Sequence, residues 1–277
     1  MTSLRAVPSD NVEDDVHPLV QLMRRYVFAY TCCHDFSECR RVMVDDYVLC
    51  MGEHRLTGRD GQYTEATAKQ FRQFPGLGLT VHDLVVGEDR IAMHFTEHGR
   101  SMVTGRLAAW SGISLYRWNG ERLTECRVEQ DYFGRRGQLS GDSIAVVPVP
   151  AIDPWSELAQ QGSATTERAV RDWLQQGGLF EAPVGSLDNE YCADAHRALG
   201  SESEVSVLDM FTAGDRAAFH AVVRGRCRDG FGGLDSRNRD ATLYVAGLAT
   251  VRDGRVEVRA VTDRLAAERR LLAASAG

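Results

Sequence analysis

Lysine is almost missing from this chain of 277 residues: Lys69 is the only one among 32 basic residues. The skew towards arginine reads as a GC-rich coding bias of the kind found in actinobacteria, not as a binding signal. No basic run stands out and the formal net charge is −7, which argues against nucleic acid or an anionic membrane as the main partner. An apolar run of the roughly 18 residues needed to span a membrane is also lacking. Residues 1–15 are polar and acidic, without the apolar centre of a secretion signal. A flexible N-terminus and a cytoplasmic location are therefore expected. The seven cysteines are odd in number and irregular in spacing. No pair has the C-x-x-C form of a zinc or redox site, so reduced, semi-buried thiols are expected. No phosphate-cradling glycine loop or metal-ligand spacing occurs, so no cofactor and no metal are expected.

What is present is a repeat. Asp89-Arg90-Ile91-Ala92-Met93-His94 returns as Asp215-Arg216-Ala217-Ala218-Phe219-His220, and Gly99-Arg100 as Gly225-Arg226, all 126 residues later. Glu125-x-Arg127-x-x-x-Asp131 returns 132 residues later as Glu257-x-Arg259-x-x-x-Asp263. The length suits two domains of about 130 residues, each able to bury a modest core. Between the copies, Pro148, Pro150 and Pro154 rule out a regular helix and mark an extended linker over 140–153. Asp153 can cap a short helix that begins at Pro154. The expected division is a flexible N-terminus at 1–15, a first domain at 16–139, the linker, and a second domain at 154–277, trimmed at its front.

Helical spacing runs through Leu19, Leu22, Met23, Tyr26, Val27 and Tyr30. Asp35 or Ser37 caps a second helix through Val44, and a short strand follows at 47–51. Gly58 to Gly61 opens a third helix that ends at Pro75-Gly76. Strands are expected at 79–86, 90–99, 110–118 and 122–131, with Asn119-Gly120 as a hairpin turn. The second copy carries one or two short helices, then strands near 205–213, 216–224, 241–251 and 255–263. The fold class is α+β.

Helix, helix, short strand, helix and a long antiparallel meander resemble the nuclear transport factor 2-like superfamily, and within it the SnoaL-like polyketide cyclase branch. The resemblance is carried by Cys33-His34-Asp35-Phe36, Asp45-Asp46-Tyr47-Val48, Leu56-Thr57-Gly58-Arg59-Asp60, Val81 to Arg90, Ser111-Gly112-Ile113-Ser114 and Glu125 to Asp131. It implies two cone-shaped, cystatin-like domains, each a curved antiparallel sheet packed on N-terminal helices, joined as an internal pseudo-dimer. A homo-oligomer is also compatible with it. For function it implies cofactor-independent acid/base cyclisation, isomerisation or dehydration of a small apolar oxygenated metabolite, such as a polyketide, terpenoid or steroid-like compound. Two alternatives stay open: a polyether-type epoxide hydrolase, and a non-catalytic ligand-binding or scaffolding protein.

Period-two alternation sorts the last strand of the first copy into Glu125, Arg127, Glu129 and Asp131 on one face and Cys126, Val128 and Gln130 on the other. The apolar face belongs inside the cone. The charged face then points outward, where matched Glu and Arg of the two copies would form a ladder between domains. His94 and His220 share that outward face. Glu129 and Asp131 nevertheless remain catalytic candidates, as does His54, which with Glu53 follows the first strand. The family's strand histidine or aspartate falls here on Cys50, or on Met51 after a one-residue slip. Tyr26 and Tyr30 can offer phenolic hydrogen bonds, and Phe95, Trp110 and Gln130 complete the expected substrate-binding set. In the second copy, Phe180-Glu181-Ala182-Pro183-Val184-Gly185 resembles the family's acid-x-Pro-x-Gly. Glu181 and Asp188 are thus catalytic candidates as a carboxylate pair.

Overall fold

A computed structural model describes residues 16–147, 149–150, 152–181, 199–200, 202–227 and 237–274. Helix α1 (Pro18–Arg25) begins where the ring of His17 accepts from the Leu19 amide and Pro18 occupies the first turn. It continues as a π-helical segment, Tyr26–Cys32. Leu19, Val20, Met23, Val27 and Tyr30 form its buried stripe. The short α2 (Cys39–Val42) runs directly into β1 (Met43–Met51), so the first strand starts four residues earlier than the sequence suggests. A tight turn at Gly52 leads to β2 (His54–Thr57), a strand that residue patterning did not indicate. Next comes α3 (Thr64–Gln73), which presents Phe71 to the core.

The meander then runs through β3 (Gly78–Val86), β4 (Arg90–Arg100), β5 (Leu107–Trp118) and β6 (Leu123–Gln130). The six-stranded sheet has the order β2-β1-β6-β5-β4-β3. The β1–β6 pair is parallel, so the sheet is not wholly antiparallel. Asp131 caps α4 (Tyr132–Ser140) by accepting from the Gly134 amide at 2.9 Å.

In the second half, α5 (Ala164–Gln175), capped by Ser163, and the short α6 (Gly178–Glu181) precede a four-stranded antiparallel sheet. Its strands are β7 (Glu204–Ala213), β8 (Arg216–Arg226), β9 (Asp240–Arg252) and β10 (Arg255–Thr262). Helix α7 (Arg264–Ala273) follows. Segment 178–181 is helical, in keeping with the short helices expected at the front of this half.

The two sheets meet through their outer faces. Val85, Ala92, Ile113 and Leu115 pack against Phe211, Ala218, Ala246, Leu248 and Val261 in a core of their own. The alternation of side chains makes this possible: Met93 and Phe95 face one way into the first domain's core, and Ala92 and His94 the other way. Each sheet has a register break at the same place. Asp83 comes to lie opposite His94, and Asp209 opposite His220.

Ion pairs across this seam are reciprocal. Arg90 donates to Asp209 at 2.6 Å, and Arg216 donates to Asp83 at 2.5 Å; Arg216 lies 126 residues after Arg90, and Asp209 lies 126 residues after Asp83. Arg136 of α4 pairs with Glu268 of α7, which lies 132 residues later. Such self-complementary pairing is what a two-fold axis produces. The expected Glu–Arg ladder is not what joins the sheets. Arg127 pairs with Glu125 of its own strand at 2.8 Å and reaches across the seam to Asp209 at 3.9 Å, not to Glu257, while Glu257 and Arg259 are exposed. The reason is that β10 is an edge strand, and only its far end, Ala260 to Thr262, is buried.

Candidate functional site

The inward alternation of β4 runs through Ile91, Met93 and Phe95 and ends on a carboxylic acid, Glu97. Its carboxylate accepts from the Gln70 side chain of α3 at 2.7 Å. Burial pushes its pKa up to about 7, against the nearby Arg135 charge and hydrogen bonds from Gln70 and Trp110. A carboxyl balanced this way is both ionised and protonated near neutrality, as a general acid/base must be. Around it Tyr26, Tyr30, Tyr63 and Phe71 come from the helices, and Phe95, Tyr116, Cys126, Val128 and Gln130 from the sheet. They leave a cavity of about 80 Å³. Gln130 is held by the Trp110 indole, which donates to its Oε1 at 2.9 Å. Burial raises the pKa of Tyr26, Tyr63 and Tyr116, so their hydroxyls stay protonated.

This inner cavity shares Met51, Gln70, Gln130 and Tyr132 with a wider chamber of about 570 Å³. The chamber is the mouth of the cone, and α7 of the second domain forms part of its wall through Leu265, Ala266, Arg269 and Arg270. Together the two spaces reach the size of ordinary small-molecule sites. Glu129 reaches the mouth from β6. Its Oε1 accepts from the Gly52 amide at 2.8 Å and lies 2.8 Å from Nε2 of His220. Burial pushes Glu129 up to about 8 and His220 down to about 4, so at neutral pH the carboxyl keeps its proton and the imidazole is neutral. Asp263 lies beside them, accepting from the Tyr244 amide and pairing with Arg270, each at 2.7 Å. A side chain at position 52 would begin 3.1 Å from Asp263 Oδ2, on a backbone with φ of +53°, so this turn requires glycine.

Of the residues singled out in the sequence, Tyr26, Tyr30, Phe95 and Gln130 surround the inner cavity. Trp110 is fully buried behind Gln130. Glu129 and His54 line the mouth, His54 from exposed β2. Three assignments are corrected. Leu49 and Met51 line the cavity and Cys50 does not; one residue of register reverses the face a strand side chain occupies. Asp131 accepts from the Gly134 amide and, at 2.8 Å, from Arg264, so it caps a helix and ties the seam. Glu181 is exposed at the end of α6, whereas Asp188 lies outside the described residues. Glu97 was missed, although the β4 alternation extended by one more pair reaches it. Arg135 could not be found that way, because α4 was not expected. Among the described residues of the second domain, the buried Asp, Glu, His and Arg side chains are Asp209, His220, Asp263, Arg264 and Glu268. Each bonds across the seam or lines the mouth of the first domain's cone.

Among the described residues no group of three or more His, Cys, Asp or Glu side chains could hold a metal ion, and no helix is long and apolar enough to cross a membrane. An aromatic cone closed by a curved sheet packed on N-terminal helices is an α+β fold of the nuclear transport factor 2-like type. Residues 20–139 match the family model of the SnoaL-like polyketide cyclases. None of the curated proteins matches the chain. Solved structures similar to it include a SnoaL-like protein from Jannaschia sp. CCS1, at 15% identity and a TM-score of 0.43, covering 51% of this chain and all of the other. IdmH from Streptomyces antibioticus has 20% identity and a TM-score of 0.40, over 45% and 99% of the two chains. TsrD from Streptomyces laurentii has 21% identity and a TM-score of 0.41, over 46% and 99%.

Proposed function

We propose that the first domain is an acid/base enzyme of the SnoaL-like type, acting on a small, largely apolar metabolite that carries carbonyl groups. The observation that carries this reading is Glu97: a buried carboxyl with a pKa of about 7, at the wall of an aromatic cavity that shares lining residues with a wider chamber. As a carboxylate, Glu97 takes the proton from a carbon beside a carbonyl, and the C–H electron pair becomes an enolate. A protonated tyrosine hydroxyl of the cone, Tyr26 or Tyr116, hydrogen-bonds the enolate oxygen. The enolate carbon then attacks a second carbonyl of the same molecule, closing a ring, and Glu97 returns its proton to the new alkoxide. If the proton returns to a different carbon instead, the outcome is isomerisation. Neither route consumes a co-reactant. The inner cavity of about 80 Å³ admits the reacting end of such a molecule, and the chamber takes the remainder.

The second domain serves as a cover for the first sheet's outer face and as one wall of the mouth. The recurring sequence segments and the reciprocal ion pairs support descent of the two domains from one duplicated unit. The epoxide-hydrolase alternative relied on Glu181 and Asp188, and the exposure of Glu181 gives it no support.

The test is deuterium exchange in heavy water at the α-carbon of aromatic β-dicarbonyl compounds, followed by NMR. Wild-type protein should accelerate exchange with an inflection near pH 7, and Glu97→Gln should lose the acceleration. Exchange that persists in Glu97→Gln would overturn the assignment.

A further inference from the structure

The mouth has a charge pattern that the cone alone does not explain. Lys69 of α3, Arg135 of α4 and Arg269 of α7 all line it, and none has an ion-pair partner among the described residues. The acids nearby do not cancel them. Asp263 is matched by Arg270 at 2.7 Å. Glu129 is bonded to His220 and the Gly52 amide, and its burial keeps it protonated near neutrality. Glu53, exposed at the rim, and the buried Glu97, whose carboxyl lies near the Arg135 charge, are set against three cations, in a chain whose net charge is −7. Arg135 is also held in place. Its guanidinium lies 4.1 Å from the ring centroid of Tyr132 and 4.9 Å from that of Trp110. Stacking of this kind leaves the edge of the guanidinium, with its N–H groups, free to meet a planar oxyanion.

We infer that the mouth binds an acidic group of the substrate, a carboxylate on a conjugated or aromatic body, and that the two domains share this task through Arg135 and Arg269. The inference rests on the cone being the reaction site, and it narrows the substrate class to aromatic or polyene acids. The apolar body enters the cone towards Glu97 while the carboxylate stays at the mouth, where Arg135 meets it edge-on. Arg269 comes from the second domain, which makes that domain part of the binding site and not only a cover. Lys69 of α3 adds a third cation.

The experiment is calorimetric titration of the full chain with 2-naphthoate and with its neutral counterpart, 2-naphthalenemethanol. Wild type should hold the acid about tenfold tighter than the alcohol, as a charge-assisted pair at a partly shielded site allows. Arg135→Gln should bring the two affinities to within about twofold of each other. Because Arg135 also packs on aromatic rings, Arg269→Gln supplies a second variant at an exposed position. It should narrow the gap by about threefold with no change in melting temperature. Equal affinities in wild type, absence of binding by either compound, or a ratio unmoved in both variants would overturn the inference. If the acid and alcohol bind equally while Glu97-dependent exchange is intact, the mouth assignment alone fails. If exchange is absent but the ratio holds, it is the cone reading that fails.

Discussion

Glu129 and His220 meet at 2.8 Å across the seam, one from each sheet and both sealed from solvent. Glu129 lies above its ordinary 4.5, at about 8, so through that window the folded state keeps a proton that the unfolded chain has lost. Its contribution to stability is full at low pH and is lost as pH rises towards 8. His220 lies below its ordinary 6.5, at about 4, so its contribution is lost as pH falls through that range. The two slopes oppose each other below pH 6.5, and above it Glu129 acts without that compensation. Melting temperature should therefore fall between pH 6.5 and 8 in wild type and fall less steeply in Glu129→Gln. Parallel curves for the two proteins would count against the protonated carboxyl.

The two aspartates of the reciprocal pairs should differ in cost. Asp209 is buried and receives Arg90 at 2.6 Å and Arg117 at 2.7 Å. Asp209→Leu strands the buried Arg90 guanidinium and should cost about 3–5 kcal/mol in chemical denaturation. Adding Arg90→Met should recover a large part of that loss, since an apolar pair carries no stranded charge. The counterpart Asp83 is more exposed, and Asp83→Ala should cost about 1 kcal/mol or less.

Gly112 faces Phe95 across β4 and β5, and a Cβ there would lie 2.3 Å from the ring tip. Gly112→Ala should destabilise by about 1–3 kcal/mol through overpacking. Because Phe95 lines the inner cavity, the displaced ring should also weaken binding of aromatic ligands. Phe95→Leu in the same chain should restore much of the stability, measured by urea titration, because a shorter side chain leaves room for the new methyl group.

Glu97→Gln separates chemistry from folding. Ionising Glu97 above its pKa of about 7 places a charge in a buried site, so stability falls as pH rises from its ordinary 4.5 through 7. The variant should lose deuterium exchange and yet melt at the same or a higher temperature than wild type at pH 9. A lower melting temperature at that pH would mean that the carboxylate is wanted for stability.

The strands of both sheets were legible because each alternates between two burial environments, and patterning reports burial. The start of β1 was not legible: Met43-Val44 continues a helical pattern, and only the parallel partner β6 recruits it into the sheet. Outward placement of Glu129 and His220 followed from alternation, whereas their contact did not. That contact depends on the angle at which the sheets cross, which no local pattern records. Cys50 was placed on the wrong face because a single residue of register reverses it. Helix α4 and with it Arg135 escaped notice, since its stability comes from the Asp131 cap and from packing beneath β5, with two glycines weakening its pattern.

The reciprocal pairs at the seam carry a consequence for how such a protein can change. In a homodimer every substitution at a two-fold interface occurs twice, so a residue is accepted only if it suits both sides at once. Here the two sides are written separately in one chain. Glu129 faces His220, while the position 132 residues after Glu129 is Val261, packed in the apolar part of the seam, and His94 bonds Ser111 instead. One half of the seam is a polar wall of the chamber and the other half is apolar, a division of labour that a symmetric pair cannot adopt.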